Sequence, residues 1–268
     1  MQKYILSILP VLLSIVAPVT LCAQYTNTAI TLIPAKDSAP KPVMSWKTPA
    51  KRMFPYTSYL LPASLMMYGF VSLHTDALQD VNESVKEEIY TDRATHKVHL
   101  DNYLQYAPGV AVYALNLVGI QGKNDFTDRT IIYGMSNLML GITVTVVKKV
   151  TAEERPDGSD NLSFPSGHTA TAFAAAEFMR QEYKDVSPLY GIAGYAAAFA
   201  TGYLRMYNNK HWMGDVVAGA GVGIASTNLA YWIYPAIKRK IFKHKEVSTI
   251  MMPAYDNGAV GLVMVHHF

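Results

Sequence analysis

Four apolar segments of this chain each meet a cluster of charged or histidine residues at one end. Segments 130–149 and 188–206 finish at such clusters, whereas segments 168–183 and 213–234 begin at them. Helices joined by short connections pack antiparallel, so the polar ends of all four should fall on the same side of the molecule. The pattern therefore predicts an all-α fold, an antiparallel helical bundle with one polar end.

The polar clusters contain the residue types that phosphoryl transfer requires. Lys148, Arg155 and Arg205 are cations that can hold the three oxygens of a phosphate group. His211 precedes Asp215 by one helical turn, so the carboxylate can hold one ring nitrogen while the other nitrogen attacks phosphorus. The sequence thus predicts a phosphate site with a histidine nucleophile.

A further cluster, Pro165-Ser166-Gly167-His168, opens an apolar helix. The unpaired backbone N–H groups and the positive dipole end of a helix start favour a bound anion. His168 can protonate the leaving oxygen as a general acid. This cluster is therefore predicted to lie at the same phosphate site.

The order K-x6-R-P, P-S-G-H and R-x5-H-x3-D resembles the signature of the type 2 phosphatidic acid phosphatase and vanadium haloperoxidase superfamily. The resemblance implies a bundle of the acid phosphatase and haloperoxidase type, with no metal and no other cofactor in the phosphatase branch. Leu204 departs from the pattern, since the family often has serine before the third-motif arginine. The implied roles are phosphate binding by Lys148, Arg155, Ser166, Gly167 and Arg205, acid catalysis by His168, and a phosphohistidine at His211 supported by Asp215.

Composition points to membrane contact and away from nucleic acid. Half of the residues are apolar, and only 16% are charged. The net charge is +3, and the basic run at 238–245 is the only long one, so nucleic acid is not an expected partner. A membrane surface or bilayer is the expected partner instead.

The N-terminus has the pattern of a signal peptide. Lys3 precedes an apolar run at 4–19, and Ala23 provides a small residue at a plausible cleavage site. Cleavage there predicts a signal peptide at 1–23, an exported protein, and no disulfide, because Cys22 is the only cysteine. The alternative is an uncleaved membrane anchor. Residues 24–56 contain several prolines and are predicted to form a linker arm.

The phosphatase helical domain is predicted at 57–240. It starts with helices at 58–73, at 77–90 and at 101–120, the last interrupted by Pro108. The chain should end in a short hairpin at 246–268, because apolar residues alternate there around Asp256-Asn257-Gly258. The second helix is amphipathic and is predicted to lie on a membrane surface through Leu78, Val81, Val85 and Ile89.

The helix that begins at His168 argues against a bundle that spans the bilayer. A span needs about 20 apolar residues, and this helix contains Glu177 and reaches Arg180 well before that length. Six spans are also incompatible with a cleaved signal peptide. Cleavage leaves the mature N-terminus outside, and the three spans before the motifs would then place the motifs in the cytoplasm. The sequence therefore favours a bundle held at the periplasmic membrane surface or dipped into it.

The resulting functional hypothesis is a phosphatase of the cell envelope that hydrolyses phosphate monoesters through a phosphohistidine. Its expected substrate is a lipid phosphate of the phosphatidic acid, phosphatidylglycerophosphate, lipid A or prenyl phosphate type. The alternatives are a soluble periplasmic nonspecific acid phosphatase acting on small phosphate esters, a vanadium-dependent haloperoxidase, and a non-enzymatic envelope protein. The last of these would have no use for both histidines.

Overall fold

The computed structural model of the protein describes residues 56–91, 97–241, 249–256 and 259–266. The predicted signal peptide and all but the last residue of the predicted arm lie outside the described residues. In the described part, the helices are α1 (Thr57–Ser72), α2 (Asp76–Lys86), α3 (Asp101–Leu104), α4 (Ala107–Leu117), α5 (Phe126–Thr151), α6 (Gly167–Tyr183), α7 (Pro188–Tyr207) and α8 (Met213–Ile241). They confirm the predicted helical bundle.

Several helices differ in extent from their predicted ranges: α5 and α8 are longer, at Phe126–Thr151 and Met213–Ile241 against 130–149 and 213–234, and two predicted helices are divided or shortened. The segment 101–120 is divided into α3 and α4, because Pro108 lies in the first turn of α4, where its missing N–H group costs nothing. Helix α2 ends at Lys86, and the chain continues as a π-helical turn at Glu87–Thr91.

Two strands follow the helices. Strands β1 (Thr249–Asp256) and β2 (Ala259–His266) pair antiparallel, from Thr249 opposite His266 to Asp256 opposite Ala259. The glycine and asparagine of the intervening turn lie outside the described residues.

Polar side chains fix the starts of the bundle helices. Helix α5 begins after Asp125, whose carboxylate accepts the Asp128 N–H at 2.7 Å. Helix α6 begins after Ser166, whose hydroxyl accepts the Thr169 N–H. Both are N-caps, which satisfy an N–H group that the helix itself cannot pair. The caps therefore determine where α5 and α6 begin.

Helix α6 packs closely against α8 because α8 presents glycines to it. A Cβ atom on Gly219 would lie 2.6 Å from the carbonyl oxygen of Ser166, and one on Gly223 would lie 2.3 Å from that of Ala170. Both distances are shorter than a carbon–oxygen contact allows. The absence of these side chains lets the start of α6 lie beside the start of α8.

The face of α2 that was expected to touch a membrane is partly covered by protein. Leu78, Val81 and Val85 are half-buried. Asn82, on the same face, is buried, and its side-chain oxygen accepts the Gly214 N–H at 3.0 Å. Asn82 thereby satisfies an unpaired N–H group in the first turn of α8.

Two helices in the described ranges are long and apolar enough to cross a membrane, judged by length and composition: Phe126–Thr151 and Met213–Lys240. The first is mostly uncovered by protein, with 22% of its apolar window buried, whereas 61% of the second is buried. Leu138, Ile142, Val146 and Val150 form an exposed apolar stripe along α5. Large apolar side chains are also exposed on α1 and α7.

Candidate active site

His211 and Asp215 form a buried pair where α7 connects to α8. Nδ1 of His211 lies 3.2 Å from Oδ2 of Asp215, and the two residues are 4% and 1% exposed. Asp215 also accepts the Trp212 N–H at 3.0 Å. A carboxylate only accepts hydrogen bonds, so Nδ1 carries the hydrogen and the neutral ring keeps its lone pair on Nε2. The pair is arranged for Nε2 to act as a nucleophile.

Ser163 contacts both residues of this pair, and sequence reasoning missed it. Its hydroxyl donates to Oδ2 of Asp215 at 2.5 Å and lies 3.4 Å from Nδ1 of His211. The residue is fully buried. It stands in a loop with no periodic pattern, three residues before the Ser-Gly-His cluster, so the sequence contains no signal that would single it out.

Arg155 lies on the other side of the histidine ring. Its Nη1 is 3.4 Å from Nε2 of His211 and 3.2 Å from the carbonyl oxygen of Lys210. Its Nε donates to Asp160 at 2.7 Å. Arg155 therefore faces the nitrogen that would attack phosphorus. Asp160, which the sequence did not indicate, binds the guanidinium group through its Nε.

Lys148 reaches the same region from the last turn of α5. Its ammonium group donates to the carbonyl oxygen of Ser163 at 2.9 Å and also to that of Leu162. The lysine thus joins the end of α5 to the loop that leads into α6.

Arg205 enters from the last turn of α7 and is held by an acidic residue. Its Nη1 donates to Oδ2 of Asp101 at 2.7 Å, and Asp101 is 1% exposed. Nε of Arg205 is buried and has no hydrogen-bond partner among the described residues. Asp101 lies in α3, more than 100 residues from Arg205, and sequence reasoning did not connect the two.

Ser166, Gly167 and His168 form the start of α6. The Ser166 N–H donates to the backbone oxygen of Asp215 at 3.0 Å, which joins this helix start to the His211 pair. Among the described residues, and apart from the adjacent backbone, a Cβ atom on Gly167 would meet only Val144, at 3.7 Å, so there is open space beside it. Nε2 of His168 lies 3.0 Å from the side-chain oxygen of Asn102.

The shifted pKa values of the two histidines show that the predicted cations lie close to them. Burial lowers the pKa of His211 well below its usual value, and the charges of Arg205, Lys148 and Arg155 lower it further. Burial and the charge of Arg205 likewise lower the pKa of His168, to about 4. All eight residues predicted from the sequence lie at this end of the bundle. Three cations around a neutral histidine can bind an anion and keep the histidine unprotonated.

Comparison with known proteins identifies a family for the central part of the chain. Residues 129–239 match the model of the PAP2 superfamily. This segment includes Lys148, the Ser-Gly-His cluster and the third motif through Asp215. Asp101 and Asn102 lie outside it.

Two relatives are similar over most of this chain. A lipid A 1-phosphatase of Porphyromonas gingivalis is 33% identical over 192 residues, which are 71% of this chain and 41% of that protein. This chain therefore spans less than half the length of that relative. The bacitracin transport permease protein BcrC of Bacillus licheniformis is 28% identical over 193 residues, 67% of this chain and 88% of that protein.

Two crystal structures are also similar. That of Aquifex aeolicus LpxE has a TM-score of 0.46 and 21% sequence identity, and the match covers 57% of this chain and 95% of that chain. That of a PAP2-type phosphatidylglycerolphosphate phosphatase from Bacillus subtilis has a TM-score of 0.45 and 22% identity, with coverages of 67% and 98%.

Proposed function

We propose that this protein is a phosphatase that hydrolyses lipid phosphate monoesters through a phosphohistidine at His211, as the match of residues 129–239 to the PAP2 superfamily model supports. The observation that carries the proposal is the orientation of the His211 ring. Its Nδ1 is held by Asp215 and its Nε2 faces Arg155, so the nitrogen that would attack phosphorus lies where a bound phosphate would also meet a guanidinium.

The proposed reaction has two steps. Nε2 of His211 attacks phosphorus, and the P–N bond forms as the bond to the ester oxygen breaks, while His168 gives its proton to the leaving oxygen. Water then gives a proton to His168 and attacks the phosphohistidine. The P–N bond breaks, phosphate leaves, and both histidines return to their starting forms.

The remaining residues of the site would bind the phosphoryl oxygens. Lys148, Arg155 and Arg205 supply positive charge, and the start of α6 supplies backbone N–H groups. The buried Nε of Arg205 supports this role, because it is a donor without a partner in the described part of the chain. Planar guanidinium groups suit the oxygens of a trigonal bipyramidal transition state.

We propose that the reaction needs no metal ion, because the positive charge that a metal would provide can come from the three cations. The test is activity after dialysis against a chelator, with and without added divalent ions. Unchanged activity, together with inhibition by vanadate, would support the proposal. Dependence of chelated enzyme on an added divalent ion would contradict it.

The lipid nature of the substrate is supported by the surface of the protein. The exposed apolar side chains on α1, α5 and α7 suit a lipid environment better than water. One relative is named as a lipid A 1-phosphatase. A soluble nonspecific phosphatase would have no need of such a surface.

We propose further that the bundle is embedded in the membrane, whereas the sequence favoured a bundle held at the membrane surface or dipped into it. The sequence argument depended partly on the charges inside α6, and the two carboxylates there are covered, whereas the Arg180 side chain is 40% exposed. Glu177 is 1% exposed and accepts hydrogen bonds from Arg180, Gln181 and Tyr195. Glu182 is equally buried and pairs with Arg129. These carboxylates therefore need not meet lipid.

Two measurements test substrate and location. Purified protein in detergent is given phosphatidic acid, phosphatidylglycerophosphate, lipid A, a prenyl phosphate and glycerol phosphate, and the released phosphate is measured. We expect faster release from one of the lipids than from glycerol phosphate. Equal rates would favour the nonspecific alternative, and no release from any ester would refute the proposed function.

For location, membranes are washed with alkaline carbonate and then extracted with detergent. Release only by detergent would support an embedded bundle, and release by carbonate would support a peripheral one. We propose that the site faces the periplasm, so intact cells should hydrolyse an added impermeant phosphate ester. Hydrolysis only after lysis would place the site on the cytoplasmic side.

A further inference from the structure

The short helix α3 touches two residues of the site although it lies outside all three motifs and outside the matched segment 129–239. Asp101 holds Arg205, as described above, and the neighbouring Asn102 contacts His168. Two consecutive residues therefore contact two parts of the site, the proposed phosphate-binding cation Arg205 and the proposed acid His168.

The position of α3 is fixed by further contacts to the end of α7. Asn208 donates from Nδ2 to the carbonyl oxygen of Val98 at 2.7 Å and accepts the Val98 N–H at 2.9 Å. Asn208 is 5% exposed. Together with the Asp101–Arg205 pair, these bonds join residues 98–101 to the turn after Arg205, which leaves Asn102 directed at the start of α6.

The chemistry of the contact defines what Asn102 can do. An amide oxygen only accepts, so Nε2 of His168 carries a hydrogen at the 3.0 Å contact with Oδ1 of Asn102. An accepted hydrogen bond favours the protonated ring over the neutral ring, because the ring N–H is a stronger donor when the ring is charged. Asn102 thereby opposes the nearby cations, which favour the neutral ring.

We propose that Asn102 is a positioning residue for the phosphatase reaction, which holds the ring of His168 through its Nε2–H and favours the protonated ring, so that the Nδ1 proton can pass to the leaving oxygen. The inference rests on the proposed function of His168 as the general acid. It assigns Asp101 the supporting role of keeping α3 against α7.

The charged groups that face His168 come from four parts of the chain and determine the direction of a pH effect. Burial and the cations lower its pKa, whereas Asp101 raises it. The groups concerned are Arg205 on α7, Asp101 on α3, Arg155 in the loop before α6, and Lys148 on α5.

The first test compares leaving groups. An aryl phosphate leaves with little protonation, whereas an alkyl phosphate requires the acid. We expect Asn102→Ala to lower kcat/KM for an alkyl phosphate by on the order of tenfold and to change kcat/KM for p-nitrophenyl phosphate by less than about twofold. In a His168→Ala background, Asn102→Ala should have no further effect on the alkyl ester.

The matched control is Asn137→Ala on α5. In the described part of the chain, the Asn137 side chain donates only to the Tyr133 carbonyl of its own helix, so both esters should be hydrolysed as by the wild type. Equal loss on both esters in Asn102→Ala would mean that Asn102 is merely structural, and no loss on either would mean that it has no role. Both outcomes would overturn the inference.

The second test uses Asn102→Asp, which keeps the oxygen acceptor and adds a negative charge. The His168 ring should then titrate at higher pH in an NMR titration of the full-length protein, and it should titrate at lower pH in Asn102→Ala. An unchanged titration in both variants would overturn the inference even if the enzyme is inactive. Absence of phosphate release by the wild type, by contrast, would refute the proposed function and not the contact.

Discussion

The hydroxyl of Ser163 donates to Oδ2 of Asp215 at 2.5 Å, and the same carboxylate oxygen lies 3.2 Å from Nδ1 of His211. One buried oxygen therefore holds both a serine and the proposed nucleophile. A carboxylate without its hydroxyl donor would lose a charge-assisted hydrogen bond in a site that excludes water.

Replacement of Ser163 should weaken catalysis without removing it. Ser163→Ala leaves Asp215 with the Trp212 N–H and His211 as donors, so we expect kcat to fall by on the order of tenfold. Steady-state kinetics check this. Ser84→Ala, whose hydroxyl bonds its own helix on the surface of α2, is the control and should behave as wild type. Wild-type kcat in Ser163→Ala would show that the hydroxyl does not support the pair.

The two histidines should fail in different ways. His211→Ala removes the nucleophile, so no phosphoenzyme should form. His168→Ala removes the acid, so an acid-labile phosphoenzyme should still form from an aryl phosphate, which leaves without protonation. Rapid quenching with radiolabelled aryl phosphate distinguishes the variants. Label bound covalently to the His211 variant would contradict the assignment of the nucleophile.

The guanidinium groups should not be replaceable by lysine. Arg205 uses Nη1 for Asp101 and retains Nε for another acceptor, and a lysine has one nitrogen for both purposes. We expect Arg155→Lys and Arg205→Lys each to lose about one to two decades in kcat/KM, which corresponds to roughly 1.5 to 3 kcal/mol for one charge-assisted bond. Near-normal rates in both variants would make these residues structural.

The pH dependence should be set by His168. Its pKa is lowered to about 4 in the free protein, so the protonated acid becomes scarcer as the pH rises above that value. The pKa of His211 is also lowered, so the nucleophile stays neutral near pH 7. For an alkyl phosphate, kcat/KM should therefore rise as the pH falls from about 8 towards about 6, apart from the titration of the ester and before Asp215, whose pKa burial raises to about 6, gains a proton. In His168→Ala this dependence should disappear, and its persistence would assign it to another group.

Packing between α6 and α8 should tolerate no side chain at Gly223. In Gly223→Ala the new Cβ would meet the Ala170 carbonyl oxygen at 2.3 Å and the Ala174 nitrogen at 2.8 Å. We expect a loss of about 1 to 3 kcal/mol in the free energy of unfolding, measured as a lower midpoint of thermal inactivation. Gly134→Ala on α5 is the matched control, since among the described residues no atom beyond the adjacent backbone of its own helix lies within 4 Å of its Cβ position. Equal midpoints for the two variants would contradict the close approach.

The sequence by itself determined the helices and the principal residues of the site, because these depend on local properties. Runs of apolar residues, caps such as Ser166 and the four-residue spacing of His211 and Asp215 act within one or two helical turns. An up-and-down order of helices then brings their polar ends together whatever the details of packing. The eight predicted residues could therefore be assigned to one end of the bundle before their contacts were known.

Only the tertiary structure decided what supports those residues. Ser163 meets Asp215 across 52 positions, Asn102 meets His168 across 66, and Asp101 meets Arg205 across 104. A single serine in a loop, or an asparagine or aspartate in a four-residue helix, has no periodic pattern that would indicate its partner. The same holds for α2 and α6. The sequence shows the direction of the apolar face of α2 and the charges within α6, whereas the residues that cover that face and those charges depend on helix packing. Asn82 is buried at the start of α8 because α2 and α8, which are distant in the chain, come into contact there, and Glu177 is buried beside Tyr195 because α6 packs against the next helix, α7.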